Sequence, residues 1–239
     1  MKRRTKVALS ATLLIALLTM GGLWRVSKAR CFQLVGEVTC RVQTDQRVVA
    51  LSFDDGPTPE GVNVVLAQLE RFDARATFFL IGREMERHPG QAERLLAAGQ
   101  ELGNHSWSHQ RNIGHLPSFY RAEVRRTDLA LRAAGAQPRL FRPPFGKRLV
   151  GLPLAVEEAG YRMVTWDVED QPERFTDPRA YADDILARVQ PGSIILMHPM
   201  YHHAQTARDA LPLVLEGLAE RGYAVVSVSE LLAMEEGED

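Results

Sequence analysis

The first thirty residues contain no aspartate or glutamate. Seven of the chain's 29 lysines and arginines lie there (Lys2, Arg3, Arg4, Lys6, Arg25, Lys28 and Arg30), which leaves 22 basic residues against all 30 acidic ones in the remainder. A body of that sign has no broad basic surface for a nucleic-acid backbone, so nucleic acid is excluded as a partner. The chain holds only two cysteines. That is too few for a disulfide scaffold, and no histidine or third cysteine lies near them to complete a metal or redox centre. Internal repeats and low-complexity tracts are missing, and a single long apolar run excludes a polytopic membrane protein. With 239 residues, 45% hydrophobic and 25% charged, the composition is that of one globular domain with an appendage.

The acid-free end reads as an address. Four basic residues precede an uncharged run from Val7 to Trp24, long enough at about 1.5 Å per residue to span roughly 27 Å, the core of a bilayer. A cleaved signal usually has a shorter apolar region of about 7–15 residues. The length therefore favours an uncleaved membrane anchor, and the alternative is a signal cleaved after Ser27-Lys28-Ala29. Either way residues 31–239 lie outside the cytoplasm, because the basic end stays inside. Membrane attachment facing the periplasm or the cell exterior, or else secretion, is the expectation. In such a compartment Cys31 and Cys40, with Gly36 and Glu37 midway between them, form a disulfide across a short hairpin.

From Arg47 onward short apolar runs alternate with amphipathic stretches. Strands are predicted over 47–53, 76–81, 100–104, 140–142, 162–166, 193–197 and 224–227, each bounded by Gly, Pro or charge. Helical periodicity fills the intervals, for example Val62, Val65, Leu66 and Leu69, or Leu211, Leu215 and Leu218. About seven strands alternating with helices imply a parallel α/β sheet, either a barrel or an open doubly wound sheet. Both put ligands at the C-terminal strand ends. The organisation expected is an anchor or signal over 1–30, a linker or hairpin over 31–46, and a catalytic domain over 47–235.

The strand ends carry the chemistry. The first runs into Asp54-Asp55-Gly56-Pro57, two adjacent carboxylates that strand alternation sends to different sides. Alone, Asp-Gly-Pro is an ordinary turn. The third runs into His105-Ser106-Trp107-Ser108-His109, whose histidines would share a face in a helical turn, a frequent zinc clamp. The fourth ends at Arg142 before a stiff Pro143-Pro144, and the sixth at His198. Each is bland by itself, but all fall at one end of one sheet. Together they make a metal held by an Asp and two His, with a spare Asp, an Arg and a further His. Three protein ligands leave an open position for water, as in hydrolytic zinc sites.

These motifs resemble the polysaccharide deacetylases, the carbohydrate esterase family with the NodB homology domain. Phe53-Asp54-Asp55-Gly56 is similar to its T-F-D-D-G, with Ser52 for Thr; His105–His109 to its H-[ST]-x-x-H; Arg142-Pro143-Pro144-Phe145 to its R-x-P-[FY]; and Leu196-Met197-His198 to its L-x-H. The resemblance covers about residues 47–232 and implies a distorted (β/α) barrel of about seven parallel strands. It also implies roles. Asp55, His105 and His109 would hold a divalent metal, zinc by preference. Asp54 would be the general base, Arg142 its orienting partner and His198 the general acid. The Phe145 N–H would stabilise the oxyanion, and Leu196 would wall the acetate methyl pocket.

The sequence departs from that family at the acidic stretch whose carboxylate tunes the catalytic histidine. In Trp166-Asp167-Val168-Glu169-Asp170-Gln171-Pro172-Glu173 an ungapped match puts Pro172 where that carboxylate belongs, leaving Glu169, Asp170 or no residue for the task. Met200-Tyr201-His202-His203 reads as a rim loop without a catalytic role. The expectation is a monomeric metal-dependent hydrolase that removes N-acetyl groups from a peptidoglycan, chitin-oligomer or exopolysaccharide substrate. The alternatives are an O-acetyl esterase on a xylan-like glycan and a non-catalytic glycan-binding protein.

Overall fold

The computed structural model describes the backbone of residues 2–235 and the side chains of residues 12–234. Eight strands form one sheet: β1 (Val48–Asp54), β2 (Thr77–Leu80), β3 (Glu101–Asn104), β4 (Leu140–Phe141), β5 (Arg162–Met163), β6 (Val168–Glu169), β7 (Ile194–Met197) and β8 (Ala224–Val226). Every pair is parallel, in the order β5-β4-β3-β2-β1-β7-β6, with β8 beside the first half of β1. This is the distorted (β/α) barrel, with one short strand, β6, that the sequence did not reveal.

The two ends of the strand path, β5 and β6, are not paired to each other. The segment read as a linker lies across this gap. Thr39 bridges to Val164 just past β5, and Arg41 bridges to Ser193 just before β7. Their backbone bonds include Thr165 N–H to Thr39 O at 2.8 Å and Val42 N–H to Gly192 O at 2.9 Å. The Cys31–Cys40 disulfide is formed, with Cα atoms 5.1 Å apart, and closes the loop leading into these bridges.

The helices α2 (Pro59–Arg71), α3 (Gly82–Arg87), α4 (Gln91–Ala97), α5 (Pro117–Ala133), α6 (Gly151–Glu158), α7 (Pro178–Leu186) and α8 (Gln205–Glu220) follow successive strands, and α9 (Val228–Glu235) follows β8. A sheet buried on both faces needs continuous apolar strands, which explains why all seven residues of β1 are buried. Alternate residues divide between two cores. Val49, Leu51 and Phe53 pack outward with Val62, Val65 and Leu69 of α2 and Val214 and Leu218 of α8. Val48, Ala50, Phe79, Leu140, Ile194 and Leu196 fill the other side with Val164, Trp166 and Val228, Leu231 and Leu232 of α9. Above that second core stand the side chains that end the strands.

The apolar run of the N-terminus lies in α1 (Lys2–Val26). Leu13, Leu14, Ile15, Leu17, Leu18, Met20 and Trp24 are exposed on it. Among the described residues no helix is long and apolar enough to cross a membrane. The side chains of the basic end and of the first part of the run, residues 2–11, lie outside those described.

Candidate active site

Asp54 is the last residue of β1 and shares the inner face of that strand with Ser52 and Ala50. Arg142, just past β4, enters the same interior and is fully buried. Its Nη1 donates to Asp54 Oδ1 at 2.8 Å and to Ser52 Oγ at 2.9 Å, its Nη2 to the Thr165 carbonyl at 3.0 Å. The guanidinium stacks 4.0 Å from the Phe79 ring centroid. Burial opposes the charged form of Asp54, but Arg142 and the neighbouring histidines outweigh it and hold this carboxyl below its ordinary range.

Asp55 leaves the strand with φ at 74°. Four of the five non-glycine residues with positive φ among those described (Asp55, Ser106, His109 and Phe145) belong to the motifs singled out above. Such backbone costs on the order of 1–3 kcal/mol per residue and persists where the surroundings over-determine it. Here they do. Asn104 accepts the Ser106 N–H at 3.0 Å and itself donates to Val124 O at 2.9 Å. Glu123 of α5 accepts the Trp107 and Ser108 N–H groups at 3.1 and 2.8 Å. Gly82 leaves room for this loop, since a Cβ there would meet Trp107 at 2.5 Å. The two histidines therefore converge from a strained loop and not from a helical turn.

His105 is buried, with Nδ1 2.8 Å from the Arg142 carbonyl. That contact needs the Nδ1–H tautomer, which leaves the Nε2 lone pair free. Nε2 lies 3.8 Å from Asp55 Oδ1 and 3.6 Å from Asp54 Oδ2. His109 Nε2 lies 3.2 Å from the same Asp55 oxygen. Burial lowers both imidazoles to about 4, so they are neutral at pH 7, and burial raises the Asp55 carboxyl.

The residues fit a divalent cation. Potential donor atoms of Asp55, His105 and His109 lie within 4.8 Å of one another. Asp55 Oδ1 is buried and accepts no hydrogen bond from the protein. An orphaned buried carboxylate oxygen beside two neutral imidazole nitrogens is a donor set suited to zinc and related ions.

His198 follows β7. Its Nδ1 is 2.7 Å from Asp170 Oδ1, and its backbone N–H donates to Asp170 Oδ2 at 2.7 Å. Tyr181 of α7 donates to that second oxygen at 2.6 Å. Asp170 is thus the carboxylate partner of the histidine, and neither Pro172 nor Glu169 is. Burial opposes the His198 imidazolium, but Asp170, with Asp54 and Asp55 behind it, raises its pKa to about 10.

A cavity of about 590 Å³ joins these groups. Asp54, Asp55, His105, His109, Phe145, Asp170 and His198 line it with Trp166, Glu173, Tyr201 and His203. Phe145 is half-exposed and its ring lies 4.7 Å from that of His109. Leu196 is buried beneath the site, packed with Phe79 and Trp166, and is not among the lining residues. Tyr201 and His203, read as rim residues, border the cavity with near-parallel rings 5.7 Å apart.

Residues 41–164 match the polysaccharide deacetylase family, a span that includes Asp54, Asp55, His105, His109 and Arg142. The chain belongs to that family. Its family places it among hydrolases acting on carbon–nitrogen bonds. A peptidoglycan-N-acetylglucosamine deacetylase of Bacillus cereus is 31% identical over 82% of this chain and 93% of its own length. The peptidoglycan-N-acetylmuramic acid deacetylase PdaC of Bacillus subtilis is also 31% identical, over 80% of this chain, which spans only 40% of that larger protein. Among solved structures, a CE4 family pseudoenzyme from Bacillus anthracis superposes with a TM-score of 0.77 at 26% identity, covering 83% of this chain and 70% of that one. Likeness of fold thus does not by itself carry catalysis, and the titratable groups of this deacetylase-family chain decide what its site can do. Asp170 and His198 lie beyond the family match and rest on geometry.

Proposed function

We propose that the protein removes N-acetyl groups from an envelope or extracellular glycan, of the peptidoglycan type first, as a metal-dependent deacetylase. The observation that carries this reading is the pairing of Asp54 with Arg142 and of His198 with Asp170 on one cavity, around Asp55, His105 and His109. A divalent cation held by those three, zinc as the favoured ion, supplies Lewis acidity toward an acyl oxygen and acidifies water when bound. Asp54, kept ionised by Arg142, takes the proton of the attacking water. His198, kept protonated by Asp170, gives one to the departing amine. A base and an acid of opposite charge state at neutral pH are what amide hydrolysis requires. The Phe145 N–H stabilises the developing oxyanion. Leu196 shapes the floor from below.

The names of the relatives support this substrate class. An amine is a poor leaving group and needs the protonated His198, whereas an ester depends on it less. The raised pKa of that histidine therefore favours N-deacetylation over O-deacetylation. The acid-free N-terminus, the apolar run in α1 and the disulfide support anchoring of the catalytic domain outside the cytoplasm. The domain works as a monomer. Acetate release from peptidoglycan fragments, chitin oligomers and acetylated xylan, each with zinc supplied, tests the assignment. Release from an N-acetylated glycan is expected. Release from xylan alone would make the protein an esterase, and release from none would make it a binding protein.

A further inference from the structure

Arg148 is almost completely buried and has no acidic partner among the described residues. Its guanidinium is satisfied by neutral acceptors alone. Nη2 donates to the carbonyls of Ala29, Arg30 and Phe32 at 3.0, 2.9 and 3.2 Å, and Nε to Gln33 Oε1 at 3.0 Å. Nη1 donates to the Gly146 carbonyl at 2.8 Å. One side of the fork grips the segment that follows α1, and the other grips the loop that carries Phe145. That segment is fixed in turn. Cys31–Cys40 closes it, and Thr165 donates to the Arg30 carbonyl at 2.7 Å. Arg30 pairs with Glu169, which lines the cavity.

Desolvating a charge without a counter-charge is unfavourable, and carbonyl cradles of this kind mark a place where geometry is being enforced. What is enforced lies next door. Phe145 holds φ at 57° and Gly146 at 63° in a turn closed by Gly146 N–H to Pro143 O and Lys147 N–H to Pro144 O, both 2.9 Å. A non-glycine residue keeps such a φ only under constraint from outside the turn.

We propose that Arg148 is a positioning residue for deacetylation: it transmits the fixed position of the disulfide-closed segment 29–40 to the Phe145 loop and so holds the wall of the cavity in its working shape. This rests on the deacetylase reading for its effect on rate, but not for its effect on the loop.

The test uses the full chain and two readouts. The first is amide hydrogen exchange at Gly146 and Lys147, which needs no substrate. Arg148→Ala and the double variant Cys31→Ser/Cys40→Ser should each speed exchange at these amides at least about tenfold, with Arg148→Lys between wild type and Arg148→Ala. The second is kinetics on the N-acetylated glycan. Arg148→Ala should lower kcat about tenfold or more, with KM and zinc affinity changed less than about threefold, and Arg148→Lys should recover part of the loss. Combining Arg148→Ala with the cysteine variants should add little, because both act through one contact. If Arg148→Ala does not fold, Arg148→Lys and the cysteine variants carry both readouts. Unchanged exchange at Gly146 and Lys147 in every folded variant overturns the proposal, as do fully additive losses. A wild type that releases no acetate overturns the deacetylase reading, while exchange still decides whether Arg148 holds the loop.

Discussion

Asp170 grips His198 twice, one carboxylate oxygen 2.7 Å from the imidazole Nδ1 and the other accepting the backbone N–H of the same residue at 2.7 Å. His198, the acid of the proposed mechanism, is therefore fixed in orientation by this one neighbour, which is also the largest of the charges that keep it protonated. Burial alone would favour neutral imidazole, and Asp170 reverses that to a pKa of about 10.

Asp170→Asn should reverse the sign. With the anion gone, burial dominates and the His198 pKa falls. The alkaline limb of kcat/KM against pH should move down by more than about one unit, at one pKa unit per 1.36 kcal/mol of lost interaction. Stability follows the same group. Its folded pKa lies above the ordinary 6.5, so the stabilisation is whole below about pH 6.5 and is lost as pH rises through about 10. The Tm gap between wild type and Asp170→Asn should narrow across that window. A limb that stays in place would mean that the titrating group is not His198.

Much of this was legible beforehand. The apolar runs ending in Phe53, Asn104, Arg142 and Met197 place β1, β3, β4 and β7 to within a residue or two, and periodicity places α2, α5 and α8. The tuning carboxylate is not legible in the sequence because it depends on register. The two residues of β6 pair with β7 at Val168–Ile195 and Glu169–Leu196, and the Asp170 N–H then donates to the Leu196 carbonyl at 3.0 Å, which brings Asp170 beside His198. An ungapped count along the chain contains no such pairing. Helix α9 carries its own local signal: Ser227 and Glu230 stand at capping-box spacing and form a reciprocal cap, at 2.9 and 3.3 Å. The role of Arg148 has none, since three of the carbonyls it grips, those of Ala29, Arg30 and Phe32, lie more than a hundred residues away and any residue type supplies a carbonyl.

The disulfide should count in stability as well as in position. It closes a loop with a sequence separation of 9, for which chain entropy gives about 2–3 kcal/mol. Cys31→Ser/Cys40→Ser should lose about that much in urea unfolding of the catalytic domain, or more if residues 39–42 release their bridges beside β5 and β7. A loss below about 1 kcal/mol would show that those bridges hold the segment unaided.

The Arg142–Asp54 pair predicts an asymmetry. Arg142→Ala leaves a buried carboxylate uncompensated and should cost about 3–5 kcal/mol, typical of breaking such a pair from one side. Asp54→Asn keeps an acceptor for the guanidinium and should cost less. The sign with pH is also fixed. The folded pKa of Asp54 is depressed, so its stabilisation is present above about pH 4 and is lost as pH falls through the lower folded value. Denaturant titrations at pH 7 and pH 3 should therefore show the Asp54→Asn penalty shrinking at the lower pH.

The two adjacent aspartates should separate in function. Asp54 lies on the strand's inner face, tied to Arg142, whereas Asp55 turns out of the strand with an unpartnered oxygen aimed between His105 and His109. In the proposed mechanism the first stays ionised and accepts a proton, and the second holds a cation. Asp54→Asn should cut turnover by ~10²–10⁴, the usual loss on removing a general base, with zinc stoichiometry intact. Asp55→Asn should raise the zinc dissociation constant, and excess zinc should return part of its activity. Activity and bound zinc, both measured against total zinc for the two variants, decide the matter. Rescue of Asp54→Asn by zinc, or equal loss of metal in both, would exchange or merge the roles assigned to them.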